Sequence, residues 1–247
     1  MAELEIKTQQ VSIQSGNLEI DSYLAIPQPE GIFPGVIVIQ EIFGVNEHIR
    51  DITRRLAKQG YVAIAPAIYQ RQAPGFEMGY TPESIKIGRV YKNQTKAAEL
   101  LSDIQATIDY LYTLPQVKKT GVGTIGFCFG GHVVYLVSTL PEIKATASFY
   151  GAGIANWKPG EEGQATVDCT SEIKGTLYAF FGTEDGSIPP EQVNMIETAL
   201  KQNNIPHKLF QYKGAEHGFF CDQRASYNAE AAKDAWPKVL ELFENEL

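Results

Sequence analysis

Short apolar runs separated by amphipathic stretches organise this chain. "GVIVIQ" (35–40), "YVAIAP" (61–66), "VGTIGF" (122–127), "ATASFY" (145–150) and "TLYAFFG" (176–182) are nearly continuous in apolar or small residues. Such runs fit strands buried on both faces of a parallel sheet. "LEIDSYLAI" (18–26) instead alternates, as a half-buried antiparallel strand does, and "HKLFQY" (207–212) alternates more weakly. Between these runs the apolar spacing is helical. Ile49, Ile52 and Leu56 share one face of a helix that ends near Gly60, and Leu101, Ile104, Ile108 and Leu111 mark a second. Val133, Val134, Leu136 and Val137 open a more apolar third helix, and Ala231, Ala235, Val239 and Phe243 mark the last. Strand and helix therefore alternate in the βαβ manner. The pattern predicts an α/β fold with a mostly parallel, doubly wound sheet, helices on both faces and an antiparallel start.

With no repeat, low-complexity tract or linker, residues 1–247 read as one domain. The segment 75–93 is long, contains Gly75, Gly79, Gly88 and Pro82, carries Phe76, Tyr80 and Tyr91, and is expected to form a substrate-lining lid, a purely structural cap being the alternative. The net charge of −8 and the absence of a basic stretch argue against nucleic acid as a partner. No apolar run approaches a membrane span, and the polar stretch Met1–Gln10 has no signal-peptide core, so a cytoplasmic protein is expected. Cys128, Cys169 and Cys221 are too few and too scattered for a disulfide framework and read as free thiols.

In doubly wound sheets ligands bind beyond the carboxyl ends of the strands, and four of those ends carry chemistry. "IGFCFGG" (125–131) is a strand, a sharp turn and a helix start, with small residues two positions either side of Cys128. An α/β-hydrolase nucleophile sits on such a turn, although a buried structural cysteine fits the same letters. Asp185 follows the strand "TLYAFFG"; a turn-capping role, or service by the adjacent Glu184, are the competing readings. His217 lies in a loop flanked by Gly214 and Gly218, where a lone histidine could equally be structural. The chain order settles the weighting. Nucleophile, acid and histidine run in that order in α/β-hydrolases, and Cys128, Asp185 and His217 repeat it, each after its own strand. Glu41 follows the strand "GVIVIQ", either as a helix-start acid or as a group approaching the thiol.

These residues together resemble the dienelactone hydrolase family of α/β-hydrolases. The resemblance spans nearly the whole chain and is densest in "VIVIQEIFGVN" (36–46), "YQRQAPG" (69–75), "GFCFGG" (126–131), "YGAG" (150–153) and around Asp185 and His217. It implies a cysteine-dependent hydrolase of esters or enol-lactones, of the carboxymethylenebutenolidase type, working through a thioester. By the same resemblance Cys128 is the nucleophile, His217 its base and later acid, and Asp185 the group that orients His217. The backbone N–H groups of Ile42 and Phe129 form the oxyanion hole, and Glu41 matches the family's extra carboxylate, which contacts the resting thiol. The family's substrate-carboxylate arginines are not in register here. Lys86, Arg89 and Tyr91 lie near the first position; Cys221 stands at the second, with Arg224 three residues on. Those four side chains, Lys86, Arg89, Tyr91 and Arg224, are the substrate-binding candidates.

A small ester or lactone is the expected partner, with a monomer or small homo-oligomer, no cofactor and no metal. A zinc site using His217 and Cys221, four residues apart, is the metal alternative, and Cys128 on a glycine turn does not resemble a ligand loop. A general carboxylesterase and a non-catalytic binding protein on the same fold are the functional alternatives.

Overall fold

The computed structural model describes residues 3–247; Met1 and Ala2, the start of the polar N-terminal stretch, lie outside the described residues. The apolar runs become the inner strands of an eight-stranded sheet of order β1-β2-β4-β3-β5-β6-β7-β8. β1 (Ile6–Ser15) and β2 (Leu18–Pro27) form an antiparallel hairpin, and β2 joins β4 (Val62–Pro66) antiparallel. From β4 onward, through β3 (Phe33–Ile39), β5 (Val117–Phe127), β6 (Ile143–Phe149), β7 (Thr176–Gly182) and β8 (His207–Tyr212), every pairing is parallel.

β3 shows why the inner strands lack polar positions. Val36 and Val38 pack into one apolar cluster with α1 (Glu47–Lys58) and α6 (Ala229–Glu246), while Ile37 and Ile39 pack into another with α3 (Ala97–Thr113) and α4 (Phe129–Val137). Successive side chains point to opposite faces of a strand, so a sheet covered on both sides must be apolar at every step. α5 (Pro190–Gln202) links β7 to β8, and a short 3-10 helix spans Thr166–Glu172.

Two elements depart from the sequence expectation. β1 forms although its letters, "IKTQQVSIQS", give little apolar signal; it is an edge strand that pairs only with β2, and only Ile13 and Ser15 are buried in it. The expected lid contains a full helix, α2 (Pro82–Gln94), started by Pro82 and by Thr81, whose hydroxyl accepts from the Ser84 N–H at 3.1 Å. α2 rests directly on the loop after β3. A Cβ on Gly88 would lie 2.2 Å from the Ile42 carbonyl oxygen, so only glycine permits this approach. The helix thereby roofs the carboxyl ends of the strands.

Candidate active site

The turn between β5 and α4 sets the geometry of everything around it. Cys128 adopts φ 55° and ψ −114°, a conformation that costs a non-glycine residue about 1–3 kcal/mol and persists only where its surroundings enforce it. Here they do. The Cys128 N–H donates to the Phe149 carbonyl at 3.0 Å, and its own carbonyl accepts from the His132 N–H at 3.2 Å. The turn is also sterically closed to larger neighbours. A Cβ on Gly126 would meet the Gly130 carbonyl oxygen at 2.2 Å, and one on Gly130 would meet the Ile39 oxygen at 2.3 Å. Cys128 caps α4, so the helix dipole favours negative charge on its sulfur.

β7 and β8 deliver the next two groups. Asp185, buried at the end of β7, accepts at Oδ1 from the Ser187 N–H at 2.8 Å. Its Oδ2 meets Nδ1 of His217 at 2.8 Å, a bond that leaves Nε2 of the imidazole for the sulfur. Burial alone drives the His217 imidazolium down. The Cys128 thiolate and the Asp185 carboxylate outweigh it and hold the group up to about 10. Sulfur and carboxylate thus act on the imidazole in the same direction, against its burial.

Cys128 and His217 open into a cavity of about 340 Å³, a size suited to a small molecule. Ile42 and Phe129 line it too. Phe129 is the first residue of α4, and a first-turn N–H has no partner within its own helix. Three cations reach the cavity: Arg89 and Lys92 from α2, and Arg224 from the loop before α6. Lys92 lies 4.3 Å from the centre of the Trp157 ring, and burial pulls its ammonium below the usual range. Apolar walls come from Phe43, Ile85 and Ala152.

The sequence candidates therefore divide. Cys128, Asp185, His217, Ile42, Phe129, Arg89 and Arg224 meet at one place. Lys86 is exposed and does not line the cavity, and Tyr91 instead packs on Tyr69 and Phe76 in an aromatic cluster. Glu41 is fully buried behind the cavity, and its Oε1 accepts from Nη1 of Arg224 at 2.9 Å. That pairing answers where the carboxylate turns: toward the arginine and the interior. Its Oε2 has no hydrogen-bond partner. It forms, with His48 and Cys221, the one group among the described residues whose side chains could jointly ligate a metal ion. His217 and Cys221 do not form such a group together, contrary to the zinc alternative read from their spacing.

Lys92 and Tyr150 escaped the sequence reading as site residues. Lys92 follows Ile85 and Arg89 on one helical face, a pattern visible only once residues 82–94 are taken as helix. Tyr150 is buried at φ 36°, with its ring 5.2 Å from that of His217. Its place just after β6, at the head of the "YGAG" run, is the signal that could have marked it.

Comparisons with known proteins agree with this geometry. The Dienelactone hydrolase family profile matches residues 20–247. A Synechocystis protein provisionally named carboxymethylenebutenolidase is 63% identical over 99% of both chains. A Yersinia pestis protein of the same provisional name is 36% identical, over 95% of this chain and 86% of that one. Among solved structures, a provisionally named dienelactone hydrolase from Klebsiella pneumoniae superposes with a TM-score of 0.88 at 34% identity, covering 97% of this chain and 99% of that one. A dienelactone hydrolase-like promiscuous phosphotriesterase from metagenomic libraries shares the fold with a TM-score of 0.82 at 22% identity, covering 98% of each chain.

Proposed function

The chain belongs to the dienelactone hydrolase family, and on that premise we propose that it hydrolyses enol-lactones and small activated esters through a thioester on Cys128. The observation that carries this reading is the pairing at His217. An imidazolium held up to about 10 by a neighbouring sulfur and by Asp185 is what a resting thiolate–imidazolium nucleophile requires.

The steps follow from the positions. The Cys128 thiolate attacks the carbonyl carbon, forming a C–S bond, and the oxyanion is received by the N–H groups of Ile42 and Phe129. One such donor contributes about 3–4 kcal/mol to the transition state. Collapse breaks the C–O bond and expels the enolate or alkoxide, which takes its proton from His217. Water, deprotonated by the now neutral His217, then attacks the thioester and releases the acid and the thiolate. Thiolate is a better leaving group than an ordinary alkoxide or an amide anion. The tetrahedral intermediate therefore goes forward efficiently only when the other leaving group is also good, as an enolate is. Amides are accordingly poor substrates.

Arg89, Lys92 and Arg224 surround the same cavity, and they favour substrates that carry a carboxylate beside the reacting carbonyl. Arg224 presents this charge while Glu41 holds it in place from behind. The substrate reading extends to location. All three cysteines are free, which fits a reducing compartment, and we take that to be the cytoplasm. Among the described residues no helix is long and apolar enough to cross a membrane.

Comparing a carboxylate-bearing enol-lactone with a neutral aryl ester, in the native protein and in Cys128→Ser, tests the reading. The native protein is expected to turn over the anionic lactone faster and the serine variant to lose both activities. Equal rates for the two substrates would instead support a general carboxylesterase, and an unimpaired serine variant would remove the cysteine mechanism.

A further inference from the structure

Behind the cavity, the carboxylate that holds Arg224 shares a buried layer with two groups that the hydrolytic steps leave unassigned. Glu41, at the end of β3, His48, in the first turn of α1, and Cys221, in the loop after β8, are all buried, with exposures of 0%, 2% and 0%. One ligand atom from each lies within 4.8 Å of the other two. Two of these groups are unsatisfied: Oε2 of Glu41 and Nε2 of His48 have no hydrogen-bond partner. An unpartnered buried polar atom costs about 1–3 kcal/mol, so two on neighbouring buried side chains call for an occupant. We propose that Glu41, His48 and Cys221 form a binding site for a divalent transition-metal cation of the zinc class.

The donor set selects the ion. Thiolate, imidazole and carboxylate are the three ligand types that zinc takes in proteins, whereas calcium and magnesium take oxygen alone. A thiolate and a carboxylate offset the charge of a dication and reduce the cost of burying it, although the same carboxylate also carries the Arg224 guanidinium. Ligand bonds of about 2.0–2.3 Å require the three atoms to draw in by about 1 Å from their present spacing. The surroundings supply further polar groups. The Tyr80 hydroxyl, which accepts from Nδ2 of Asn46 at 3.2 Å, adjoins Cys221, and the buried Tyr150 hydroxyl also lacks a partner. Arg224 connects this layer to the active site, since it lines the cavity and bonds Glu41. An ion at this site fixes the Glu41 carboxylate and, through it, the Arg224 guanidinium. That consequence rests on the hydrolytic reading; the binding itself does not.

The decisive experiment uses the full chain with Cys128→Ser, so that the Cys128–His217 pair cannot supply the thiolate. Cobalt(II), a spectroscopic stand-in for zinc, and zinc itself are titrated into the metal-free protein. One equivalent is expected to bind with a thiolate-to-cobalt charge-transfer band. Adding Cys221→Ser should abolish the band and weaken zinc by more than the roughly 10–100-fold that loss of an outer-shell partner costs. Should that double variant not fold, His48→Gln in the same background should weaken zinc while keeping the band. Absence of stoichiometric binding, a band that survives Cys221→Ser, or unchanged affinity in His48→Gln would overturn the proposal.

Discussion

Two sets of cysteine, histidine and carboxylate lie close together in this protein, and they are arranged for opposite purposes. In the outer set, Cys128, His217 and Asp185, each donor meets an acceptor: Asp185 takes the Ser187 N–H on one oxygen and the His217 ring on the other, and the ring faces a sulfur in an open cavity. In the inner set, Cys221, His48 and Glu41, the cysteine is sealed from solvent and two polar atoms are left without partners. Residue type therefore does not decide the chemistry. Backbone placement does, through the strained turn that exposes Cys128 and the interior position that pushes the Cys221 thiol up to about 11, by burial first and the Glu41 charge second.

Exchanging the two sulfurs should break this contrast most sharply. Cys128→Ala is expected to lower kcat by at least about 10⁴-fold, as loss of a nucleophile does. Cys221→Ala should stay within about tenfold, a change of about 1.4 kcal/mol in barrier height. Steady-state kinetics on an aryl ester measure both. Asp185→Asn comes next, with kcat falling about 10⁴-fold while the fold is kept, because the imidazole loses its preferred tautomer and its orienting charge. A fall of less than tenfold would show that Glu184 or another group serves instead.

The outer set also differs in its titration. The Cys128 sulfur is the largest of the influences that raise His217 against burial. In Cys128→Ser that charge is gone, so the His217 midpoint should drop from about 10 toward or below neutrality, observed by NMR of the imidazole. The sign is fixed: removing an anion disfavours the imidazolium. An unmoved midpoint would place the sulfur out of reach. A more selective effect belongs to the roof of the cavity. Arg89→Ala should raise KM about 10–100-fold for a carboxylate-bearing lactone and leave a neutral ester near its native value, since a charged hydrogen bond contributes about 1.5–3 kcal/mol.

The contrast also explains what could be read from letters alone. The parallel strands were legible because a sheet buried on both faces forces runs such as "GVIVIQ"; Cys128 and Asp185 stand just beyond such runs, and His217 was found by its place after them in chain order, past the more alternating β8. β1 was not, since an edge strand with one partner tolerates polar residues at most positions. α2 hid behind its Gly- and Pro-containing approach, and with it Lys92, although Thr81 and Pro82 mark its start. The pairing of Arg224 with Glu41 joins residues 183 apart in sequence, and no local pattern announces it. The inner set escaped for the same reason: Glu41, His48 and Cys221 come from three segments that only the assembled sheet brings together.

The account turns on one bond, between an acyl carbon and a single sulfur. Native protein mixed with an activated aryl ester, quenched in acid within the first turnovers and mapped by peptide mass spectrometry, should carry the acyl group on the peptide containing Cys128, in a linkage that hydroxylamine removes. Full turnover with the acyl group on any other residue, Cys221 included, would contradict it.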